Sequence, residues 1–443
     1  MDDLDKFGGD LIIPLVKAYP RVWLTGMVWR TGTAWSRARW PGYSAGDRPH
    51  ELSTAEKEAA MSPARSSDPS RWSVLVLDAG SSSLRITLFS ADGTPIADRD
   101  SSEPPGPESA RNLRDFLATV PPPTAVGHRL VHGGPCLTHH TMIDGRVRQL
   151  LEEIRNLAPL HLPPALAMVD TARELLPDVP HVACFDTVFH RDLPAAAREY
   201  AVPERWRTEH GIRRYGFHGL SYAWCLERAA EVLERPADGL QAVLVHLGGG
   251  CSACAVREGR SMDTTMGFTP LEGLVMSRRS GSVDPGALLW LQRRNGLTAR
   301  ELEEDLHRRS GLLGLSGTSG DTRDLVRARK RGDAAAKAAL AVFVHSCRRG
   351  IAAMAASLDR LDVLVFTGEI SEDRPEVREE VCMGLRVLGV RAGLAVPPLE
   401  ELFEEGVRRI DGPGAGVPVV VVATGETQQI AVETRRVLES TDV

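Results

Sequence analysis

The sequence predicts an α/β protein with a duplicated core, and two observations carry that prediction. A strand, polar turn, strand, tight turn, strand unit begins at Val74, and the same plan recurs from Ala242. Further short buried-strand runs alternate with strongly helical segments, as in folds whose sheets are covered by helices. The 443 residues supply enough chain for two or three domains with sizeable cores.

The elements follow in order. Residues 1–72 hold five of the eight tryptophans (Trp23, Trp29, Trp35, Trp40 and Trp72) but show no sustained period beyond a short helical stretch at residues 10–19. Their polar close reads as a linker. We expect a disordered N-terminal extension, explained by an upstream start codon, since Met61 precedes Ser73 by a linker-like dozen residues, or alternatively by a small accessory segment. From Ser73 the character changes: Val74-Leu-Val-Leu77 is a buried-strand run, Asp78-Ala-Gly80-Ser-Ser-Ser83 a polar turn, and Leu84-Arg-Ile-Thr-Leu-Phe89 an alternating strand that leads to the Asp92-Gly93 turn. The second unit runs Ala242-Val-Leu-Val245, His246-Leu-Gly248-Gly249-Gly250, Ser252-Ala-Cys-Ala-Val256, then a Glu258-Gly259 turn. Val182-Ala-Cys-Phe185, Val363-Leu-Val-Phe366 and residues 417–422 are further strands. Thr298 and Glu301 form a capping box opening a helix at 302–307, residues 334–358 are an alanine-rich helix, and Asp373 is placed to cap another, with Pro375 and Glu376 in its first turn.

Composition narrows the function. With 53 basic against 59 acidic residues and a net charge of −6, nothing favours nucleic acid or an anionic membrane as partner. No apolar run is long enough to span a bilayer and the start is acidic, so we expect a cytoplasmic protein. Seven cysteines, an odd number, read as reduced thiols. Cys251-x-x-Cys254 lacks a second pair, and its spacing along a strand turns the thiols to opposite faces, which argues against a metal site.

The chemistry-bearing residues sit at strand ends and loops. The two Gly/Ser turns after Asp78 and His246 offer backbone amides to an anion, although each alone reads equally well as a tight hairpin. The loop Gly314-Leu-Ser-Gly-Thr-Ser-Gly320-Asp321 suits a sugar or nucleoside. His128, Arg129, His132, His161, His190, His218, His246, Arg278 and Arg279 could each be structural. Together they supply the fixed positive charge and donors that phosphoryl transfer needs.

Longer strings identify a family. Val76-Leu-Asp-Ala-Gly-Ser-Ser-Ser-Leu84, Val126-Gly-His-Arg-Leu-Val-His-Gly-Gly134, Ala158-Pro-Leu-His161, Phe185-Asp-Thr-Val-Phe-His190, Gly211-Ile-Arg-Arg-Tyr-Gly-Phe-His-Gly219, Asp263-Thr-Thr-Met-Gly-Phe-Thr-Pro-Leu-Glu-Gly-Leu274 and Arg279-Ser-Gly281 resemble the acetate kinase family of the actin/Hsp70/sugar kinase superfamily. The resemblance runs from about Ser73 to the C-terminus. It implies two duplicated ribonuclease-H-like domains around a central cleft, residues 73–190 with 427–443 and residues 191–426. It also implies reversible phosphoryl transfer from ATP to acetate or propionate, with Mg²⁺, and a homodimer.

Carried over by motif, Asp186, His218 and Arg279 are catalytic, with His218 and Arg279 stabilising the transition state. Arg129 binds the carboxylate and phosphoryl group, and Val131, Leu160, Phe217 and Pro270 line the alkyl pocket. Asp78, Ser81, Ser83, Arg85, His246, Gly248, Gly249, Gly250, Asp321, Thr322, Arg323, Gly368, Glu369 and Ile370 face nucleotide and phosphates. Asp78 and Glu426 serve the metal. Five positions depart from the pattern: Asp78 and Gly249 each replace an Asn, Leu162 an Asn, Ser282 an Asp, and Glu369 a glycine. These departures leave open a donor other than ATP, such as pyrophosphate, a longer acid, or a non-catalytic ligand sensor.

Overall fold

In the computed structural model the described residues are 72–80, 83–101, 106–391 and 406–441. All of them fall in one compact unit, Arg48–Val443. The expectations for residues 1–71, including the start at Met61, and for Ser81 lie outside the described residues.

Two six-stranded sheets form the frame. The first contains β1 (Val74–Ala79), β2 (Leu84–Phe89), β3 (Pro95–Ser101), β4 (Ala125–Leu130), β5 (Thr141–Met142) and β6 (His181–Phe185), in the order β3-β2-β1-β4-β6-β5. The second contains β7 (Gln241–Leu247), β8 (Cys251–Arg257), β9 (Arg260–Thr264), β10 (Val363–Thr367), β11 (Val407–Arg409) and β12 (Val419–Val422). Read from the β9 edge its order is β9-β8-β7-β10-β12-β11, the same plan. In each sheet the opening strand pairs antiparallel with the next strand and parallel with a crossover strand: β1 with β2 and β4, β7 with β8 and β10. The duplication and the mixed α/β class are therefore both present.

The strand period sorts side chains between layers. Val243, Val245 and Cys251 lie in one apolar cluster, while Ala242, Leu244 and Cys254 lie in another on the opposite face. This is the two-faced arrangement that the cysteine spacing implied. The alanine-rich helix Ala334–Ala355 is capped by Asp333, whose carboxylate accepts from the Ala336 amide. The helix Ala299–Arg308 opens with the capping box of Thr298 and Glu301. One expectation is corrected: Asp373 ends the short helix Glu369–Asp373, and the next helix, Pro375–Met383, starts after Arg374 without a side-chain cap. The reason is steric, because a residue before proline is pushed out of the α region, and Arg374 sits at φ −123°, ψ 72°. Among the described residues no helix is long and apolar enough to cross a membrane.

The last helix, Glu426–Thr441, returns to the first sheet and packs on β1, β4 and β6. It approaches β4 so closely that a Cβ on Gly127 would stand 2.3 Å from Thr434 Oγ1 and 2.8 Å from Ile430 Cγ2. Gly127 thus sets the depth at which the helix, and with it Glu426, is seated. Gly127→Ala should cost about 1–3 kcal/mol by overpacking, read as a lower urea midpoint. An unchanged midpoint would show that the helix is free to adjust.

Candidate active site

Parallel strands end side by side, and their ends carry the first half of the site. The β1–β4 register pairs Leu77 with His128, and the β4–β6 register pairs Arg129 with Cys184. Asp78, Arg129 and Asp186 therefore emerge at one edge, where ligands of such sheets bind. Arg129 reaches Asp186 Oδ2 at 3.0 Å, Asp78 Oδ1 at 3.2 Å and Glu426 Oε2 at 3.9 Å. Burial works against its charge, but these three carboxylates hold the guanidinium protonated well beyond the usual range. One cation does not satisfy three anions. Burial pushes Asp186 up to about 6 against the pull of Arg129, and burial also raises Glu426, with Asp78 adding to the effect.

The second half lies at the ends of β7 and β8. His218 is the left-handed residue, φ 60°, that precedes the helix Gly219–Val232. Its ring stacks on His246 with centroids 4.2 Å apart. Their Nδ1 atoms are held by Ser252 Oγ (2.8 Å) and Ser221 Oγ (2.9 Å), so both rings present Nε2 toward the Gly248-Gly250 turn. Tyr222 OH also bonds Ser252 Oγ. With Tyr222 donating to Ser252 and Ser252 to Nδ1, we assign the His218 proton to Nε2. Burial keeps both rings neutral: His218 lies well below its ordinary value, with His246 next in effect, and His246 falls to about 3.

Arg279 completes the constellation. A Cβ placed on Gly250 would stand 3.1 Å from His218 Nε2 and 3.5 Å from Arg279 Nη1, so turn, histidine and arginine converge on one spot. The Arg279 side chain touches Pro270 O at 3.3 Å and His161 Nε2 at 3.4 Å, and among the described residues it has no carboxylate partner. Burial lowers its affinity for the proton. A half-buried guanidinium with no counter-ion among the described residues is stabilised when an anion binds beside it.

Next to the turn a small open cleft of about 60 Å³ is lined by Gly248, Gly249, Asp321, Thr322, Arg323, Glu369 and Ile370, together with Ser277, Gly320, Asp373 and Arg374. Gly368 follows β10 and leads into the helix that carries Glu369. Glu372 ties this wall to the segment before Glu426: its Oε1 accepts from the Gly368 amide (3.1 Å), the Thr424 amide (3.0 Å) and Thr424 Oγ1 (2.6 Å).

The other expected residues flank this centre. Arg85 is exposed on β2 and held by Asp100 at 2.6 Å, and Ser83 is exposed, its carbonyl accepting from the Gly80 amide. Val131 and Phe217 share one apolar cluster, Pro270 is buried against Arg279, and Leu160 is half-buried beside His161. Among the departures, Leu162 is fully buried as the first residue of the helix Leu162–Leu175, and Ser282 Oγ accepts from the Gly273 amide. His161, named among the histidines and closing one of the matched strings, was given no specific role by the sequence. Its contact with Arg279 joins positions far apart in the chain. Ser277 and Arg374 were also missed, and no local pattern marks them.

A family model described as the acetokinase family matches residues 117–432. An acetate kinase of Synechococcus sp. (strain JA-2-3B'a(2-13)) is 41% identical over 408 residues, 83% of this chain and 99% of that protein. The crystal structure of Porphyromonas gingivalis acetate kinase is similar with TM-score 0.74 and 33% identity, covering 83% of this chain and all of that one. A propionate kinase from Francisella tularensis is similar with TM-score 0.75 and 31% identity over 82% and 99% of the two chains.

The buried neutral histidines set a pH dependence of stability. Burial lowers His132, His161 and His246 to about 3 and His190 to about 4. Unfolded, each takes up a proton near 6.5, so their contribution is present above that pH and is lost as pH falls toward 3–4. Urea unfolding should weaken by on the order of 1 kcal/mol per buried histidine between pH 6.5 and 5. His190→Gln should flatten the slope by about one proton; a profile flat in both proteins would contradict the burial argument.

Proposed function

The chain belongs to the acetokinase family, and from that premise we propose that it is a short-chain carboxylate kinase, moving a phosphoryl group reversibly between ATP and acetate or propionate. The observation that carries the reading is Arg279: a half-buried guanidinium with no counter-ion among the described residues, facing a glycine turn and the Nε2 of a neutral histidine. In the forward direction an acid oxygen forms a bond to the terminal phosphorus while the bond from that phosphorus to the bridging oxygen of ADP breaks. The acid arrives ionised, so the obstacle is repulsion between two anions. Arg279 suppresses it by charge, and the His218 Nε2–H and the amides of the Gly248-Gly250 turn by hydrogen bonding. His161 steadies Arg279. Val131, Leu160, Phe217 and Pro270 would hold the alkyl group, where one methylene is worth about 1–3 kcal/mol of discrimination.

Mg²⁺ fits the chemistry of the residues present, because Asp78, Asp186 and Glu426 stand around a single cation, Arg129, and hard oxygen donors are what the ion takes. Asp78 and Glu426 would face the ion, which usually takes one or two carboxylates and keeps several waters. Bound with the nucleotide, it would neutralise charge on the phosphate oxygens. Asp186 holds Arg129 in place from beneath. Residues 73–190 with 427–443 and residues 191–426 would act as two lobes whose closure excludes water from the acyl phosphate.

A second reading concerns the donor. Glu369 is exposed on the wall of the cleft, where its charge opposes a phosphate chain, and a Cβ at Gly249 would meet nothing within 4 Å, so no side chain fills that place. Both features favour a donor other than ATP. The homodimer implied by the family has a candidate surface in the helix Pro285–Asn295, which buries none of its residues and leaves Leu289 and Trp290 more than half exposed.

A hydroxamate assay pairing acetate, propionate and butyrate with MgATP and with pyrophosphate tests these readings together. Product with acetate or propionate and MgATP is expected; product only with pyrophosphate would establish the second donor, and none with any pair from folded protein would overturn the kinase reading. Arg279→Ala should lower turnover by about 10²–10³-fold, the cost of removing a transition-state donor, without lowering the melting temperature. An unchanged rate would refute its role. Trp290→Glu should convert the protein from dimer to monomer in sedimentation velocity, and an unaltered dimer would place the contact elsewhere.

A further inference from the structure

Among the described residues no carboxylate orients Arg279, so its aim depends on the groups it does touch, His161 Nε2 at 3.4 Å and two from one loop, the Pro270 carbonyl at 3.3 Å and Met276 Sδ at 3.9 Å. That loop follows β9 and contains no helix or strand of its own. What holds it is a side-chain network that none of the roles above uses. Arg214 Nη1 donates to the carbonyls of Thr264 (3.0 Å), Thr265 (3.3 Å) and Met266 (3.1 Å), while its Nη2 donates to Glu272 Oε1 at 3.3 Å. The other carboxylate oxygen of Glu272 accepts from Tyr200 OH, and the Tyr200 oxygen accepts from the Phe268 amide at 3.0 Å. The Arg214 guanidinium also lies over the Tyr200 ring, 5.4 Å from its centroid. Glu272 therefore closes a ring of contacts around the two ends of the segment that presents Pro270.

A second observation comes from Gly267. A Cβ there would stand 1.7 Å from Glu272 Oε2 and 2.0 Å from Tyr200 OH, so the Glu272–Tyr200 pair lies directly against the bare Cα of this residue. The φ of Gly267 is not positive, hence the backbone itself accepts alanine. The demand for glycine is imposed by the two side chains.

We propose that Glu272 is a positioning residue for Arg279: by joining Arg214 to Tyr200 against Gly267, it fixes the loop whose Pro270 carbonyl orients the guanidinium. The inference rests on the reading of Arg279 as the cation that meets the reacting anions. It requires a carboxylate at 272, because both of its oxygens accept from donors. A glutamine keeps one acceptor oxygen for Arg214 but meets Tyr200 only by reversing that bond, its amide donating to the phenolic oxygen that already accepts from Phe268.

The test uses steady-state kinetics of the full chain with acetate and MgATP, together with calorimetric MgATP binding. Glu272→Ala and Gly267→Ala should each raise the acetate KM at least fivefold and lower kcat at least tenfold, with MgATP affinity within twofold of wild type. Glu272→Gln should fall between wild type and Glu272→Ala. Gly267→Ala presses only on the ends of two side chains, so it keeps the test available should Glu272→Ala fold poorly. Wild-type acetate kinetics in both alanine variants would overturn the inference, and so would a loss of MgATP affinity equal to the loss for acetate, which marks a general structural defect. Should the wild-type protein itself form no acyl phosphate, the kinase reading fails first and this assignment with it. An active wild type with unaffected variants refutes the positioning role alone.

Discussion

A guanidinium withdrawn from water must find an anion, and the two central arginines meet that constraint in opposite ways. Arg129 has Asp186, Asp78 and Glu426 around it, an excess of negative charge. Arg279 has a carbonyl, a thioether and an imidazole, and among the described residues it has no carboxylate partner. The excess on one side calls for a cation and the deficit on the other for an anion, so a metal-bearing phosphate chain and a small carboxylate together complete the balance. The two neutral histidines between them add donors without adding charge, which their burial would penalise.

The duplicated sheets make this arrangement possible. Each begins with an antiparallel pair and continues with a parallel crossover, so each exposes strand ends at which loops and helix starts can gather. Asp78 and His246 are equivalent in this sense, each near the end of the opening strand of its sheet. The final helix then carries Glu426 back to the first sheet, and Glu372 links the segment before that residue to the wall of the cleft beside the Gly248-Gly250 turn, so the two are mechanically connected.

Much of this was legible before any coordinates. The β-turn-β units announced themselves because strand burial imposes a short period, and the opposite facing of Cys251 and Cys254 followed from the same geometry. Arg129, Asp186, His218 and Arg279 could be named from long matched strings, but only the fold brings them together. The contact between His161 and Arg279 and the ring of Arg214, Glu272 and Tyr200 depend on loops that meet in three dimensions, and no periodicity encodes such meetings. Asp373 was misread because the proline two residues on outweighed its capping chemistry by excluding α backbone at Arg374. Arg85 lies on the hairpin next to the Asp78 turn, yet Asp100 on β3 claims its side chain.

The central claim is that Arg279 is left without a carboxylate partner so that it can engage the transferring group, while Arg129 is held by protein carboxylates. A crystal structure of the protein with MgADP, acetate and aluminium fluoride measures this directly. The account predicts a fluoride ligand within hydrogen-bond distance of both an Arg279 Nη atom and His218 Nε2, with Arg129 still paired to Asp186. A complex in which the fluoride group is bound while Arg279 stays on Pro270 and His161 alone would contradict it.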